Sequence, residues 1–234
     1  MSVLTRMVLN PATRGGRNLL FNRQAMHAAV MAAYSPDTHA SMQGRPLWRV
    51  DQDGQRHTLY LVGPREPDLT HVVEQAGWAG EGWSSVDYSP FLSRLRRGQQ
   101  WGFRLTANPV HSVSSGSGKR GKILPHVTPA QQTQWLKERS SRWGFSLMDQ
   151  EGQPVEDGQD SPLLVTVTAR RDERFGRRAE GEERQKVTLR MAQFDGALQI
   201  EDPERLRTAL TAGMGRAKAY GCGLMTLRPL SERS

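Results

Sequence analysis

The sequence contains one cysteine, Cys222, and six histidines, so it has few of the residues that build disulfides or soft-metal sites. A single cysteine excludes an intramolecular disulfide and a zinc site built from cysteines. No two histidines are three or four positions apart, the spacing that places two metal ligands on one helical face. We therefore predict no bound metal, no other cofactor and a reducing, cytoplasmic location.

Long apolar runs are also missing. No stretch approaches the ~20 consecutive apolar residues that a membrane-spanning helix needs. Residues 1–10 alternate between apolar and polar side chains and are soon followed by Arg14 and Arg17, which differs from a signal peptide. We expect no membrane partner.

Positive charge is in excess. The chain has 32 Lys and Arg against 24 Asp and Glu, a net charge of +8 and a pI near 10.2. Such a balance favours a polyanionic partner over an acidic protein surface, but charge alone does not choose between nucleic acid and a membrane. The 234 residues are enough for two domains of common size.

The first half of the chain has the element order strand, helix, strand, strand, helix, strand. Alternating apolar residues predict the strands, Pro36 ends the first helix, and Pro11, Gly15 and Gly16 favour a loop before it. The predicted strands are residues 3–9, 47–50, 57–62 and 100–106, the helices 24–34 and 68–75, and the loop 10–22. This order is typical of a ferredoxin-like α+β domain.

The second half repeats that composition of elements. Thr128 and Pro129 predict a helix start, Pro203 predicts another, and Asp195-Gly196 predicts a hairpin turn. The predicted strands are residues 145–148, 163–169, 187–194 and 197–200. We therefore predict two tandem ferredoxin-like (RRM-like) domains, residues 1–110 and 128–234, joined by a flexible basic linker at residues 111–127.

His27 is the candidate for acid–base chemistry. Helical spacing places it on one side of the first helix with polar and charged neighbours. That side carries Arg23, Gln24, His27, Met31, Tyr34 and Ser35. An imidazole that titrates near neutrality, a fixed cation and two hydroxyls suit metal-free phosphodiester cleavage. The alternative is an amphipathic helix with a surface histidine.

A glycine-rich segment at residues 213–223 (GMGRAKAYGCG) carries Arg216 and Lys218 between its glycines. Glycines allow a backbone to approach a phosphate closely, so Gly213 and Gly215 with the two cations are candidate phosphate contacts. The segment follows a predicted helix and precedes a strand, the reverse of a dinucleotide site. The alternative is a turn with solvated cations.

Further candidate RNA contacts are arginines and lysines in three clusters. The arginine-rich segment at residues 169–186 suits a ribbon that grips a nucleic-acid groove, although a solvated loop is the alternative. The candidates are Arg170, Arg171, Arg174, Arg177 and Arg178 in that segment, Lys119, Arg120 and Lys122 in the linker, and Arg14, Arg17 and Arg23 near the N-terminus.

Several motifs together resemble one known family. They are residues 194–200 (FDGALQI), Asp202-Pro203, residues 213–227 (GMGRAKAYGCGLMTL), residues 4–11 (LTRMVLNP), Met26-His27, residues 103–109 (FRLTANP) and residues 118–120 (GKR). In order and spacing the sequence resembles the CasE subunits, the CRISPR RNA-processing endoribonucleases of the type I-E Cascade complex. The resemblance covers nearly the whole chain.

The resemblance implies two ferredoxin-like domains that bind the hairpin of a CRISPR repeat RNA and cut it at the 3′ base of the stem. It implies a metal-free reaction in which the 2′-hydroxyl attacks, leaving a 2′,3′-cyclic phosphate and a 5′-hydroxyl. By this resemblance His27 is the catalytic histidine, and the glycine-rich and arginine-rich segments contact the RNA. We expect a monomer when the protein is free and retention on the product within Cascade, beside the other Cascade subunits.

Two positions depart from the family pattern. Members place a tyrosine where this chain has Gln24 and often a proline where it has Arg216. Gln24 can hydrogen-bond the 2′-hydroxyl or orient His27, and Tyr34 is the candidate substitute phenol. A non-catalytic RNA-binding subunit therefore stays open as an alternative. A ferredoxin-like metabolic enzyme would instead need an apolar pocket and few surface cations.

Overall fold

The computed structural model describes residues 2–41, 45–113, 122–155, 159, 161–177 and 185–230. The elements of the first half are β1 (Val3–Leu9), α1 (Arg14–Phe21), α2 (Arg23–Ala32), α3 (Pro36–Ser41), β2 (Leu47–Asp53), β3 (Arg56–Gly63), α4 (Thr70–Ala76), β4 (Trp83–Asp87) and α5 (Ser89–Ser93). Those of the second half are β5 (Gln100–Ala107), β6 (Val110–Val113), β7 (Lys122–Pro125), α6 (Pro129–Ser140), β8 (Phe145–Leu147), β9 (Val165–Arg177), β10 (Gln185–Ile200), α7 (Pro203–Ala212) and β11 (Met225–Arg228). Among these residues no helix is both long and apolar enough to cross a membrane.

The first sheet has the strand order β2-β3-β1-β4, with every neighbouring pair antiparallel. On the central strand β1, Val3, Thr5, Met7 and Leu9 are buried because alternate residues of a strand face the same side. Helices α1, α2 and α4 lie between the strands in sequence, which is the ferredoxin-like connection.

The second sheet repeats this arrangement. Its order is β11-β5-β10-β8, and the long strand β9 also pairs with β10. Helix α6 follows β5 and helix α7 follows β10, so the connections match those of the first sheet. The predicted tandem ferredoxin-like α+β fold is confirmed.

The assignment of residues 100–106 to the first sheet is wrong. This segment, β5, pairs with β10 and β11 and is the first strand of the second sheet. The fourth strand of the first sheet is β4, which pairs with β1 and has a largely exposed, weakly alternating pattern. We propose that the boundary between the two units lies at residues 94–99. Part of the predicted flexible linker is structured, since β6 and β7 pair as a hairpin.

The predicted turn at Asp195-Gly196 is also wrong, because β10 runs through it without interruption. A two-residue hairpin turn of this type needs a positive φ at both positions, and neither residue has one. Instead the Asp195 carboxylate accepts hydrogen bonds from Arg104 Nε at 2.6 Å and Thr168 Oγ1 at 2.6 Å. These hydrogen bonds satisfy the charged carboxylate of Asp195 within the strand.

Residues 14–21 form the helix α1 where a loop was predicted. Its glycines serve close packing: a Cβ on Gly16 would lie 1.8 Å from the Asn10 carbonyl oxygen, and one on Gly15 would lie 2.3 Å from that of Gln75. The Thr13 hydroxyl caps the helix by accepting from the Gly16 N–H at 2.9 Å. Helix α1 therefore requires glycine at these two positions, where it approaches α4 and the residue that follows β1.

Arg49 joins the two halves. Its side chain is buried and forms a two-bond ion pair with Asp51 on its own strand, at 2.6 and 2.9 Å. Across the interface it donates to the backbone carbonyls of Arg104 at 2.8 Å and Leu224 at 2.9 Å. Since Leu224 directly follows the glycine-rich segment, this network fixes the end of that segment against the first sheet.

Candidate active site

His27 lies on helix α2, whose N-terminus is capped by a side chain. The Asn22 side chain caps it by accepting from the N–H groups of Gln24 and Ala25, both at 3.1 Å. One turn in, His27 is half-buried, and Gln24 lies one turn before it on the same side. The cap therefore fixes the start of the helix that carries both side chains.

Arg23 anchors this helix and does not face solvent. It is 7% exposed, its Nε is 2.9 Å from Glu173 Oε1 of β9, and its guanidinium lies 5.6 Å from the centre of the Trp48 ring. The expectation that Arg23 contacts RNA is not supported by this geometry. Its charge is neutralised by Glu173, so its role is to hold α2 against the second sheet.

The glycine-rich segment forms a closed loop after α7. The Met214 N–H donates to the Gly223 carbonyl at 2.9 Å, and the Gly223 N–H donates to the Thr106 carbonyl of β5 at 2.7 Å. Gly213, at the end of α7, has φ +80°, and a Cβ there would lie 2.6 Å from the Leu47 side chain. The loop is thus fastened at its base to both sheets.

A single 3₁₀ turn, Lys218–Tyr220, forms the tip of the loop next to α2. Ala217 precedes it with φ +60°, a left-handed conformation, and Gly221 follows with φ +82°. A Cβ on Gly221 would lie 2.7 Å from the Trp48 ring, so only glycine fits this approach to β2. The turn is held in place by its own backbone and by the sheet beneath it.

Between α2 and this loop lies a cleft with a volume of about 490 Å³. Its lining residues come from three separate parts of the chain. They are Gln24, His27, Arg45, Gly215, Arg216, Ala217, Lys218, Ala219 and Tyr220. Among them are three cations and no acid, so the cleft suits an anion of the size of a phosphate.

The His27 imidazole is the central titratable group of the cleft. Burial lowers its pKa from the ordinary 6.5, and the positive charge of Arg45 lowers it further. A lowered pKa means that the imidazole is mostly neutral at neutral pH. A neutral imidazole is able to accept a proton, as a general base must.

In the protein without RNA, we expect His27 to titrate with a midpoint below 6.5. Arg45→Gln removes a nearby positive charge and should raise that midpoint. The lowering of the pKa that burial causes should remain. NMR of the imidazole Cε1–H against pH measures both values. Arg142→Gln, an exposed change elsewhere, is the matched control. A midpoint at or above 6.5, or one that Arg45→Gln leaves unmoved, contradicts this electrostatic description.

Lys218 and Arg216 supply positive charge from the loop. The Lys218 Nζ donates to the Ala212 carbonyl at 2.7 Å, which places the ammonium over the end of α7. Burial and the charge of Arg45 both lower the pKa of Lys218. Arg216 is exposed at the mouth of the cleft.

The structure brings together five residues selected from the sequence: Gln24, His27, Gly215, Arg216 and Lys218. Tyr34 is not among them. It is 6% exposed among apolar residues of β1, β3 and α2, and a Cβ on Gly63 would lie 2.2 Å from its hydroxyl oxygen, so the phenol points toward β3. Burial raises the pKa of Tyr34 to about 12. The suggested substitute phenol therefore lies outside the cleft.

Five of the other predicted RNA contacts are exposed cations outside the cleft. Arg170 and Arg171 are neighbours on β9 and so face opposite sides of it: Arg170 reaches the Val127 carbonyl at 3.4 Å, and Arg171 donates to Gln52 Oε1 at 2.9 Å. Exposed cations at other places are Arg14, Arg17 and Lys122. Arg174 and Arg177 belong to strand β9, whereas Lys119, Arg120 and Arg178 lie outside the described residues.

Sequence reasoning missed Arg45 and Tyr220. Arg45 stands in a short segment without periodicity before β2, so no pattern marked it. Tyr220 stands within the glycine-rich segment, where only the glycines and cations were considered. Its ring lies 6.3 Å from that of His27, at an interplanar angle of 61°. Within the described ranges, no group of three His, Cys, Asp or Glu side chains lies together in a way that would hold a metal ion.

Comparisons with known proteins assign the chain to a family. A family model described as CRISPR associated protein matches residues 3–229. The chain belongs to this family. A curated member, the CRISPR-associated endoribonuclease Cse3 of Thermus thermophilus, is 35% identical over 97% of this chain and 99% of its own length. The CRISPR system Cascade subunit CasE of Escherichia coli is 27% identical over 86% of this chain and 96% of its own.

Solved structures of the CRISPR associated protein family share the fold. Thermus thermophilus Cse3, bound to an RNA representing a pre-cleavage complex, superposes with a TM-score of 0.75 at 29% identity and covers 97% of this chain and 99% of its own. Cas6e of Escherichia coli superposes with a TM-score of 0.53 at 17% identity, covering 98% and 100%, and supports the fold alone. The resemblance to the CasE subunits, which we inferred from the sequence motifs, is confirmed.

Proposed function

We propose that this protein is an endoribonuclease that binds the hairpin of a CRISPR precursor RNA and cleaves it in the cleft at His27. The proposal rests on one observation. The half-buried His27 faces the glycine-rich loop across the cleft, and three cations, Arg45, Arg216 and Lys218, line the same cleft. The name and the RNA-bound form of the Thermus thermophilus relative support an RNA substrate. The net charge of +8 agrees with a polyanionic ligand.

The reaction that fits these groups is a metal-independent transesterification. Neutral His27 takes the proton of a ribose 2′-hydroxyl, and the 2′-oxygen attacks the adjacent phosphorus. The bond from phosphorus to the 5′-oxygen breaks, leaving a 2′,3′-cyclic phosphate on one fragment and a 5′-hydroxyl on the other. Gln24, on the same side of α2 and in the same cleft, hydrogen-bonds the 2′-hydroxyl or orients His27.

The cations stabilise the charge that develops on the phosphoryl oxygens. Arg45, Arg216 and Lys218 all line the cleft, and Gly215 lets the backbone approach closely. Donors fixed in advance around a reacting group contribute more than mobile ones because little reorganisation is needed during reaction. The arrangement fits cleavage at the 3′ base of an RNA stem, with the stem lying along the exposed arginines of β9.

The protein then remains on its product as a subunit of Cascade, beside the other subunits of that complex. Binding is distributed over many cations outside the cleft, so breaking one phosphodiester bond leaves most contacts intact. The Escherichia coli relative is named as a Cascade subunit, which supports this role.

The second candidate is a non-catalytic RNA-binding subunit with the same fold, kept open by Gln24 in a position where a better proton donor would be expected. A denaturing gel of repeat hairpin RNA after incubation with the purified protein separates the two functions. The endoribonuclease yields two defined fragments. A binder shifts the RNA in a native gel and leaves it intact in the denaturing gel.

Changing Arg170, Arg171, Arg174 and Arg177 together to alanine should weaken RNA binding and flatten its dependence on salt. Each lost phosphate contact should reduce the slope of log affinity against log salt by about one, because fewer condensed counterions are released. Binding titrations at several salt concentrations measure the slope. Because Arg170 and Arg171 face opposite sides of β9, we expect the single variants to differ in effect.

A variant with equal loss of charge controls for net electrostatics. Its four arginines are exposed and lie away from β9 and the cleft: Arg65, Arg94, Arg97 and Arg142. This control should keep most of the slope. If the β9 variant matches the unmodified protein in affinity and slope, its arginines are solvated and the RNA binds elsewhere.

A further inference from the structure

Tyr220 occupies a defined place opposite the histidine. Its ring meets that of His27 edge to face, with centroids 6.3 Å apart and an interplanar angle of 61°, and both side chains line the cleft. The ring is partly exposed, so a ligand in the cleft reaches it. Gln24 lies in the same lining, on the helix side. A phosphoryl group held in the cleft therefore has an imidazole on one side and a phenol near it.

The backbone fixes Tyr220 more firmly than a surface loop would. Its N–H donates to the Ala217 carbonyl at 2.9 Å, closing the turn. The next residue, Gly221, is pressed against Trp48, and Cys222 is fully buried beside Met191 of β10. Tyr220 packs against that small cluster. Such preorganisation is what a group that acts in a transition state requires.

We propose that Tyr220 is a second catalytic residue of the site, the general acid that protonates the leaving 5′-oxygen. This role rests on the proposed endoribonuclease function. His27 alone accounts for removal of the 2′-hydroxyl proton, and the departing 5′-oxygen needs a proton of its own. A phenol is a much stronger acid than a ribose alcohol, so the transfer runs toward the leaving group.

The proton balance closes between the two side chains. When the 2′-oxygen forms its bond to phosphorus, His27 holds the 2′-hydroxyl proton and becomes a cation. When the bond to the 5′-oxygen breaks, that oxygen takes the Tyr220 proton, leaving a phenolate. Arg216 and Lys218, which line the same cleft, stabilise the phenolate. Transfer of one proton from His27 to Tyr220, directly or through water, restores both groups.

Tyr220→Phe and a substrate with a better leaving group test this role. The variant keeps the ring and its contact with His27 but loses the hydroxyl. It should cut ordinary RNA about 10²-fold or more slowly, the usual contribution of a general acid. An RNA with sulfur in place of the 5′-bridging oxygen needs no protonation of its leaving group. On that RNA Tyr220→Phe should cut at nearly the unmodified rate, whereas His27→Ala should stay slow.

Tyr88→Phe, which removes a buried phenol outside the cleft, is the matched control and should not alter the ratio of the two cleavage rates. Tyr220→Phe at full rate on ordinary RNA, or with the same defect on both substrates, overturns the proposal. In those cases Tyr220 only positions His27, or Lys218 is the acid. If the unmodified protein cuts neither RNA, the endoribonuclease function itself fails, and the role of Tyr220 fails with it.

Discussion

Replacing His27 by alanine should slow RNA cleavage by about 10² to 10⁴ and leave hairpin affinity nearly unchanged. The loss is large because His27 is the histidine in the cleft, and its lowered pKa keeps it in the proton-accepting form. Affinity should be retained because the proposed RNA contacts are spread over cations on several elements. Single-turnover cleavage rates and gel-shift titrations measure the two quantities separately.

His57→Ala is the matched control for this change, since His57 lies on β3 outside the cleft and also has a lowered pKa. It should cut at nearly the unmodified rate. If His27→Ala cuts at full rate, the catalytic role belongs to another residue. If it loses both cleavage and affinity, His27 is a binding or structural residue instead.

A single 2′-deoxy substitution at the nucleotide just upstream of the scissile phosphate should abolish cleavage and leave affinity almost unchanged. In the proposed mechanism the 2′-oxygen is the attacking atom, and a deoxyribose lacks it. One lost hydroxyl among many RNA contacts changes binding little. The same RNA, tested in a denaturing gel for cutting and in a native gel for binding, gives both results.

A 2′-deoxy substitution one nucleotide further upstream is the control and should be cut normally. Its nearby position keeps sequence and stem stability almost the same. Cutting of the RNA that lacks the 2′-hydroxyl at the scissile position would show that the nucleophile is a different one, such as water. The cleft would then need a group that activates water.

The fold was predictable from the sequence where local signals decide it. The capping box at Thr128 and Gln131 was recognisable in part from Thr128-Pro129, and the alternation of residues 3–9 predicts β1 correctly. The failures depend on distant partners. Gly15 and Gly16 look like loop residues until the Asn10 and Gln75 carbonyls that they approach are known.

Two further errors have the same origin. The strand β5 has the same alternating pattern in either sheet, so its assignment depends on its pairing with β10 and β11, far along the chain. Asp195-Gly196 resembles a turn but lies inside a strand because Arg104 and Thr168 hold the carboxylate. Neither partner follows from the local sequence.

The residues of the site also fall into two groups, those that local sequence predicts and those that depend on a distant partner. His27 and Gln24 come from one helix and Arg216 and Lys218 from one loop, so two local segments were enough to select them. The burial of Arg23 could not be predicted because its partner Glu173 lies 150 positions away in the sequence. An arginine on a polar helix face looks solvated until that partner is known.

The nature of the RNA ends after cleavage in the presence of excess chelator tests the central claim most directly. Purified protein is incubated with a repeat hairpin RNA, and the termini of both fragments are identified. The proposed mechanism predicts cleavage without divalent metal, with a 2′,3′-cyclic phosphate on the upstream fragment and a 5′-hydroxyl on the downstream fragment. A 5′-phosphate with a 3′-hydroxyl, or cleavage that appears only after a divalent metal is added, contradicts it.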